Sequence, residues 1–339
     1  MFSTKKKHRR AVPAGKVVLL FCLCSPGCLD SPERSNPIDP NSDNFENVGR
    51  ISGTTLSFYQ PFTAIADVEV RLEPGSIVTQ TDQNGDFFFD KIPVGEYQIA
   101  ASKKGFAAVP DTLKVELGQT TNIQLNLDGL PLISSFVVNS GHISRWWPQT
   151  DLFLLEVRTQ LDDPDGLNDI EMVKLEIPEM GFADTLQALQ SRGTYTKTIR
   201  ESSLPEKNLQ RVLGREIRLQ VQDRVGFGTR SEPKFLVRII DSVPDFESPI
   251  GDTLVTANPV LRWKAISLPF DFTFRVEVVR VDFEISNLVW SSSGLPPSTT
   301  SVTVPDALPS GTYFWTVAAV DDFGNCSRSK EASFTIEIN

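Results

Sequence analysis

The sequence predicts an all-β protein, in which three β-sandwich domains in series follow a signal peptide and a flexible tether. From residue 48 onwards, short runs alternate apolar and polar side chains, as strands with one buried face do. Turns rich in Gly, Pro, Asp and Asn separate these runs, and long helical periodicity is nearly absent. At the start of the chain, basic residues followed by an apolar run predict the signal peptide that precedes the tether.

Residues 1–27 have the composition of an export signal. Basic residues precede the apolar run Val17–Cys24, and the small residue Gly27 follows it. A basic head, an apolar core and a small residue before a cleavage point are the parts of a signal peptide. The apolar run is too short to span a bilayer, which takes about 20 apolar residues. We therefore expect the mature chain to work outside the cytoplasm.

The stretch Leu23–Cys28 resembles the lipobox of bacterial lipoproteins, in which a cysteine after a small residue becomes the lipidated N-terminus. Gly27 fits the small position, whereas Ser25 and Pro26 depart from the usual pattern. The resemblance implies lipidation of Cys28, and several acyl chains on one cysteine hold a protein durably on a bilayer. An ordinary secretory signal that leaves this cysteine free is the alternative.

Residues 28–47 are predicted to form the tether. They contain almost no apolar side chain before Phe45, so they bury too little surface to order themselves. Asn36–Pro40 resembles the linker that follows the lipidated cysteine in many Gram-negative lipoproteins. The resemblance implies a membrane-anchored protein in the cell envelope of a Gram-negative-type bacterium. We expect it at the outer membrane, facing the periplasm or the cell surface.

The chain is acidic, with a formal net charge of −10 over 339 residues. Without the Lys and Arg residues of the predicted signal, 27 basic residues and 43 acidic residues remain. This balance argues against nucleic acid and anionic lipid headgroups as main partners. Beyond the signal and Cys28, only Cys326 remains, so neither a disulfide framework nor a cysteine zinc site is predicted.

The first predicted domain covers residues 48–130. Val68, Val70 and Leu72 alternate along one strand and must face a core. Asn84-Gly85 lies between two strand-like runs and predicts a tight hairpin, because glycine supplies the positive φ that the turn needs.

Four motifs in this block stand in the order found in carboxypeptidase regulatory-like domains. They are Gly49-x-x-x-Gly53, Thr81-Asp82-x-x-Gly85-x-Phe87, Ile92-Pro93-x-Gly95-x-Tyr97 and Lys104-Gly105-Phe106. The block therefore resembles that family, which implies a small, stable, transthyretin-like β-sandwich without catalytic activity. No peptidase zinc ligands accompany the motifs.

The second predicted domain, residues 131–240, resembles a bacterial immunoglobulin-like domain. Leu152–Arg158 is predicted to be a buried strand, and an acidic loop at Asp162–Asp169 precedes the next strand. Arg215–Asp223 alternates as a strand does. Asp184–Arg192 is the best candidate for a helix in the chain.

The third predicted domain, residues 241–339, resembles a fibronectin type III-like domain. Trp263 lies on an early strand, and Gly311-x-Tyr313-x-Trp315 enters a late one. An Asp-x-x-Gly-Asn corner follows near the end of the block. We expect these three aromatic side chains to lie in the core.

The acidic loop of the second block is a candidate calcium site. Asp163, Asp165 and Asp169 offer carboxylate oxygens at close spacing, and Gly166 allows a tight turn. The alternative is a solvated turn whose carboxylates accept backbone N–H bonds. The hairpin Asp82–Asp86 has similar spacing, and the same alternative applies there.

Trp146 and Trp147 precede Pro148 in a predicted loop and form a candidate binding site. Adjacent exposed indoles can stack on sugar rings, whereas packing in a core or between domains is the alternative. His142 has no nucleophile motif near it, so no catalytic residue is predicted.

The sequence therefore predicts a non-enzymatic, lipid-anchored envelope protein whose tandem modules contact envelope proteins or polysaccharide. A carbohydrate-binding lipoprotein is the alternative, and an unrecognised hydrolase is a third hypothesis. Calcium is the one cofactor considered, and none is otherwise expected.

Overall fold

A computed structural model describes residues 35–42, 44–189, 193–251, 253–282 and 285–337. Within this part of the chain, 26 strands and three short 3₁₀ helices form the fold, so the predicted all-β class is confirmed. The predicted signal peptide, residues 1–27, and the predicted lipidation site, Cys28, lie outside the described residues. No described helix is long and apolar enough to cross a membrane.

Three hydrophobic cores, each drawn from one of the predicted blocks, organise the strands. We call the strands around them the first, second and third sandwiches. The alternation of apolar and polar residues produces these cores, because a strand with period two can turn one face to the interior and the other to water.

The first sandwich has eight strands. They are β1 (Val48–Ser57), β2 (Glu69–Glu73), β3 (Ile77–Gln80), β4 (Asp86–Pro93), β5 (Gly95–Ser102), β6 (Phe106–Ala107), β7 (Asp111–Val115) and β8 (Thr120–Gly129). Two four-stranded sheets, β4-β1-β8-β6 and β3-β2-β5-β7, enclose the core. Val68, Val70 and Leu72 are fully buried there, as predicted.

The turn before β4 has the conformation that its sequence predicts. Gly85 has a φ of +76°, a backbone conformation that would be strained in a residue with a side chain. Asp82 Oδ1 accepts the backbone N–H groups of Asn84 and Asp86 at 2.8 and 2.9 Å. The Asp82 carboxylate therefore stabilises the turn through backbone hydrogen bonds, which was the alternative to binding calcium.

The described part of the predicted tether forms turns beside the first sandwich. Glu46 donates its backbone N–H to the carbonyl oxygen of Pro37 at 2.8 Å. The side chain of Glu46 also pairs with Lys91 of β4 at 2.9 Å. The extent of the tether stays a prediction.

The second sandwich has nine strands. They are β9 (Leu132–Ile143), β10 (Leu152–Asp162), β11 (Ile170–Ile177), β12 (Phe182–Thr185), β13 (Gln187–Ala188), β14 (Thr194–Arg200), β15 (Glu216–Asp223), β16 (Gly228–Arg230) and β17 (Lys234–Phe235). The 3₁₀ helices are Pro178–Met180, Glu201–Ser203 and Leu209–Val212. One layer has the order β13-β14-β10-β9, and the other is β12-β11-β15-β16, with β17 also on β15.

The helix predicted at Asp184–Arg192 is wrong for the residues that the structure describes. β12 and β13 occupy this stretch and pair with β11 and β14. Ladder hydrogen bonds to two existing strands outweigh the weak local helical preference of so short a segment.

The third sandwich also has nine strands. They are β18 (Phe246–Ser248), β19 (Leu254–Val255), β20 (Val260–Trp263), β21 (Phe272–Asp282), β22 (Ile285–Leu295), β23 (Ser301–Thr303), β24 (Gly311–Asp321), β25 (Cys326–Arg328) and β26 (Ala332–Ile336). Trp263, Tyr313 and Trp315 are fully buried in its core, as predicted.

A single ten-stranded sheet runs through the second and third sandwiches. Its main path is β13-β14-β10-β9-β25-β24-β21-β22, and β26 and β19 extend it from β24. The two sandwiches meet where β25 pairs with β9 in parallel, with Cys326 opposite Gly141 and Arg328 opposite Ile143. Backbone hydrogen bonds therefore cross this junction.

Candidate functional site

Five aspartates converge where the first and second sandwiches meet. β8 ends at Gly129 and β9 begins at Leu132, so a connection of two residues joins the sandwiches. We call the convergent side chains the junction cluster. Its members are Asp128 on β8, Asp163, Asp165 and Asp169 in the loop between β10 and β11, and Asp223 at the end of β15.

The cluster is compact and withdrawn from solvent. Carboxylate oxygens of Asp128, Asp169 and Asp223 lie within 4.8 Å of one another, and those of Asp163, Asp165 and Asp169 do the same. Asp128 and Asp223 are fully buried, while Asp163 and Asp169 are 6% and 5% exposed. The structure thus brings together the three predicted calcium candidates and adds two residues to them.

Each carboxylate outside β8 uses one oxygen to shape the backbone or to bridge the sandwiches. Asp163 Oδ1 accepts the N–H of Asp165 at 2.8 Å, and Asp165 Oδ2 accepts the N–H of Gly129 at 2.6 Å. Asp169 Oδ1 accepts the hydroxyl of Tyr59, in the first sandwich, at 2.6 Å. The predicted turn chemistry is therefore present, but it uses only part of the available oxygens.

Asp223 follows the same rule. Its Oδ1 accepts the N–H groups of Gly226 and Phe227, both at 2.8 Å, and so forms the corner after β15. Its Oδ2 is buried and has no hydrogen-bond partner among the described residues.

Five buried carboxylate oxygens of the cluster lack a partner in the described part of the chain. They are both oxygens of Asp128 and the Oδ2 atoms of Asp163, Asp169 and Asp223. The ion pairs that described aspartates make lie elsewhere, at Asp90, Asp151, Asp184, Asp245 and Asp321. Buried charges are ordinarily paired, so this arrangement is costly unless a cation or protons neutralise it.

The electrostatics of the cluster favour neutral carboxyl groups when no cation is bound. Burial and, after it, the neighbouring carboxylate of Asp223 together raise the pKa of Asp128 to about 8. Burial also raises the pKa of Asp163 to about 6. The hydrogen bond to Asp169 raises the pKa of Tyr59 well above its usual range.

Sequence reasoning missed Asp128 and Asp223. Asp223 follows Leu219 and Val221 at alternate positions, so it takes an inward-facing position of β15. A carboxylate at an inward position is a signal that could have identified it. Asp128 carries no such signal, because its partners belong to another sandwich.

The structure gives the two predicted binding tryptophans different environments. Trp147 is 85% exposed. Trp146 is also exposed, but its indole N–H donates to the carbonyl oxygen of Glu331 at 2.7 Å, and its ring lies beside Phe246. Trp146 therefore links the loop after β9 to the third sandwich, and Trp147 alone presents a free indole face.

Buried polar side chains hold the junction between the second and third sandwiches. Asn325 Oδ1 accepts the backbone N–H of Ser140 at 2.8 Å, and Asn325 Nδ2 donates to Asp321 Oδ2 at 3.0 Å. Asp321 Oδ2 also pairs with Arg238 of the second sandwich at 2.9 Å. These bonds complete the junction that the pairing of β9 with β25 begins.

His142 also belongs to this junction. It lies in β9, 2% exposed, with Nδ1 at 3.0 Å from Ser327 Oγ and Nε2 at 3.0 Å from Asp151 Oδ2. Cys326 has a half-buried free thiol whose pKa burial raises. Both residues therefore pack and bond within the structure.

The comparisons with solved structures return β-domain proteins of low identity. The FN1-FN3 domains of chicken CNTN1 are 12% identical, with a TM-score of 0.29, and the alignment covers 81% of this chain and 92% of that one. A DUF3823 family protein from Bacteroides ovatus is 13% identical, with a TM-score of 0.24 and coverage of 56% and 98%. A search of the curated proteins finds no match.

One family model matches the first sandwich. It is the carboxypeptidase regulatory-like domain, and the match spans residues 51–128. The match begins within β1, ends within β8 and includes three of the four motifs in full. The carboxypeptidase regulatory-like family predicted for the first block is thereby confirmed over residues 51–128 of this chain.

Proposed function

We propose that this protein is a non-enzymatic, lipid-anchored component of the cell envelope. Its β-sandwiches form a stiff arm that presents a contact surface to an envelope protein or a polysaccharide. The Gram-negative outer membrane is the proposed site, with the arm facing the periplasm or the cell surface. The matched family model is that of a regulatory-like module, which supports a role without catalysis.

The observation that carries the proposal is the sheet shared by the second and third sandwiches. A spacer keeps its reach only if its modules cannot swing freely, and flexible linkers between modules allow such swinging. Here the pairing of β9 with β25 and the buried bonds of Asn325 connect the two sandwiches directly. Rigid modules behind a lipidated N-terminus would hold a surface at a set distance from the membrane.

Replacing Cys28 with alanine is expected to abolish lipidation. Cells that produce the natural chain should incorporate labelled palmitate into it, and the Cys28→Ala variant should incorporate none and leave the membrane fraction. Cys24→Ala, within the predicted signal, is the matched control and should keep the label. Label on Cys28→Ala, or none on the natural chain, would contradict the anchor. Protease treatment of intact cells would then separate a surface-facing arm from a periplasmic one.

Carbohydrate binding is the second candidate, and the exposure of Trp147 favours it. An indole that is 85% exposed and free on its faces provides a stacking platform for a sugar ring. The neighbouring groove lined by Trp146, Phe246, Ile250 and Phe314 would extend that platform.

Trp147→Ala is expected to weaken the binding of a polysaccharide found on a glycan array by about tenfold or more, because the stacking surface is lost. The control is Phe88→Ala, which removes an exposed aromatic ring from the first sandwich and should leave binding unchanged. Equal affinity of the Trp147 variant and the natural chain would remove the platform from consideration.

A further inference from the structure

The strongest unexplained feature is a fully buried side chain, Asp128, with no partner for either carboxylate oxygen among the described residues. It projects from the first sandwich toward Asp169 and Asp223 of the second, whose oxygens lie within 4.8 Å of its own. Three carboxylates from two sandwiches would repel one another in this low-dielectric position. Something positive must offset that repulsion for the junction to persist with its charges.

The third sandwich contains the same corner with its positive charge in place. Asp223 and Asp321 each end a strand, and the Oδ1 atom of each accepts two backbone N–H groups of the following turn. Asp321 Oδ2 then receives the guanidinium of Arg238 at 2.9 Å, and this arginine comes from the preceding sandwich.

At the corner of Asp223, the preceding sandwich offers Asp128 instead of an arginine. Asp223 Oδ2 is left without a partner in the described structure. The two junctions thus share one architecture, but the first lacks the cation that completes the second.

We propose that a calcium ion binds in the junction cluster, between the first and second sandwiches. Asp128, Asp169 and Asp223, whose carboxylate oxygens lie within 4.8 Å of one another, carry four unpartnered oxygens, which would supply at least half of the six to eight oxygen ligands that calcium takes. Magnesium is a weaker fit, because it demands a near-ideal octahedron and keeps several waters. The calcium ion would take the place that Arg238 has at the other junction, and several carboxylates could share it.

The bound ion would join the two sandwiches through ligands from both. Asp128 belongs to β8, and the other ligands belong to the loop after β10 and to the end of β15. Two hydrogen bonds already cross this junction, from Tyr59 to Asp169 and from Gly129 to Asp165. Calcium would add a charged crosslink, and so make the first junction as firm as the second. This consequence rests on the proposed arm function, whereas calcium binding itself does not.

The test is calcium titration of the purified full-length chain after treatment with a chelator. Isothermal titration calorimetry should detect saturable binding, with a dissociation constant of about 1 mM or tighter, as in extracellular calcium modules. Thermal unfolding should shift upward by several degrees at saturating calcium, because the ion binds only the folded junction. Magnesium at the same concentration should produce a smaller shift.

Asp128→Asn is expected to weaken calcium binding at least about tenfold and to remove most of the thermal shift. This variant should fold, since it removes a buried charge and keeps the side-chain volume. Asp322→Asn, at an exposed carboxylate of the third sandwich, is the matched control and should bind as the natural chain does.

Two results would overturn the site. One is the absence of binding heat and of any thermal shift in the natural chain up to about 10 mM calcium, beyond the range of known extracellular sites. The other is unchanged affinity in Asp128→Asn. Either result leaves the palmitate experiment on Cys28 unaffected, so the two proposals fail independently.

Discussion

Replacing Asn325 with alanine is expected to lower the free energy of unfolding by about 2 to 4 kcal/mol. Asn325 is 1% exposed and accepts the backbone N–H of Ser140 through Oδ1. Its Nδ2 also donates to Asp321 Oδ2. The alanine variant would leave a buried backbone donor without a partner and would remove one donor from a buried carboxylate, and each loss costs about 1 to 3 kcal/mol.

Urea denaturation monitored by tryptophan fluorescence measures this effect. Asn287→Ala, on the exposed face of β22, is the control and should change stability by less than about 0.5 kcal/mol. Amide hydrogen exchange should also become faster in β9 and β25, because these strands pair beside Asn325. A loss below about 0.5 kcal/mol in Asn325→Ala would show that water restores the missing bonds.

The second large effect is a fall in stability with rising pH when calcium is chelated. The pKa of Asp128 is about 8 in the folded chain, against 3.8 for the ordinary carboxyl group. Between these values the folded state retains a proton that the unfolded chain has released. The stabilisation is therefore fully present below about pH 4 and is lost as the pH rises through 8.

The slope approaches about 1.4 kcal/mol per pH unit for each proton that only the folded chain holds. Asp163, whose pKa is about 6, adds to the fall in the lower part of this window. Urea denaturation in EDTA at a series of pH values measures the slope. Asp128→Asn cannot ionise at this position and should show a flatter profile. Stability that stays constant or increases in the natural chain over pH 4 to 8 would contradict this account.

The junction cluster and the junction at Asn325 each contain a buried aspartate at the end of a strand, but they differ in what neutralises its charge. Both end a strand with an aspartate whose Oδ1 holds the following turn. At the junction of Asn325, the second oxygen belongs to Asp321 and accepts from Arg238 and from the amide of Asn325, so its charge is paired within the protein. At Asp223 the second oxygen meets further carboxylates. The first junction therefore responds to protons and cations, whereas the second is complete by itself.

Local patterns were sufficient to predict the strands and the family of the first sandwich. Val68, Val70 and Leu72 alternate with period two, and this period alone places them on one face of a strand. The glycine at position 85 marks its turn in the same local way, through a backbone angle that other residues avoid. The three core aromatics of the third block were also predictable, because their places follow from motifs spaced along single strands.

Only the tertiary structure determines which segments that are distant in the sequence contact each other. The acidic loop was visible as Asp163, Asp165 and Asp169, but its closure by Asp128 depends on how two sandwiches dock. Trp146 was predicted as one half of an exposed pair, and its bond to Glu331 spans 185 residues. Side-chain periodicity carries information about neighbours a few residues away, whereas these contacts depend on the packing of whole sandwiches.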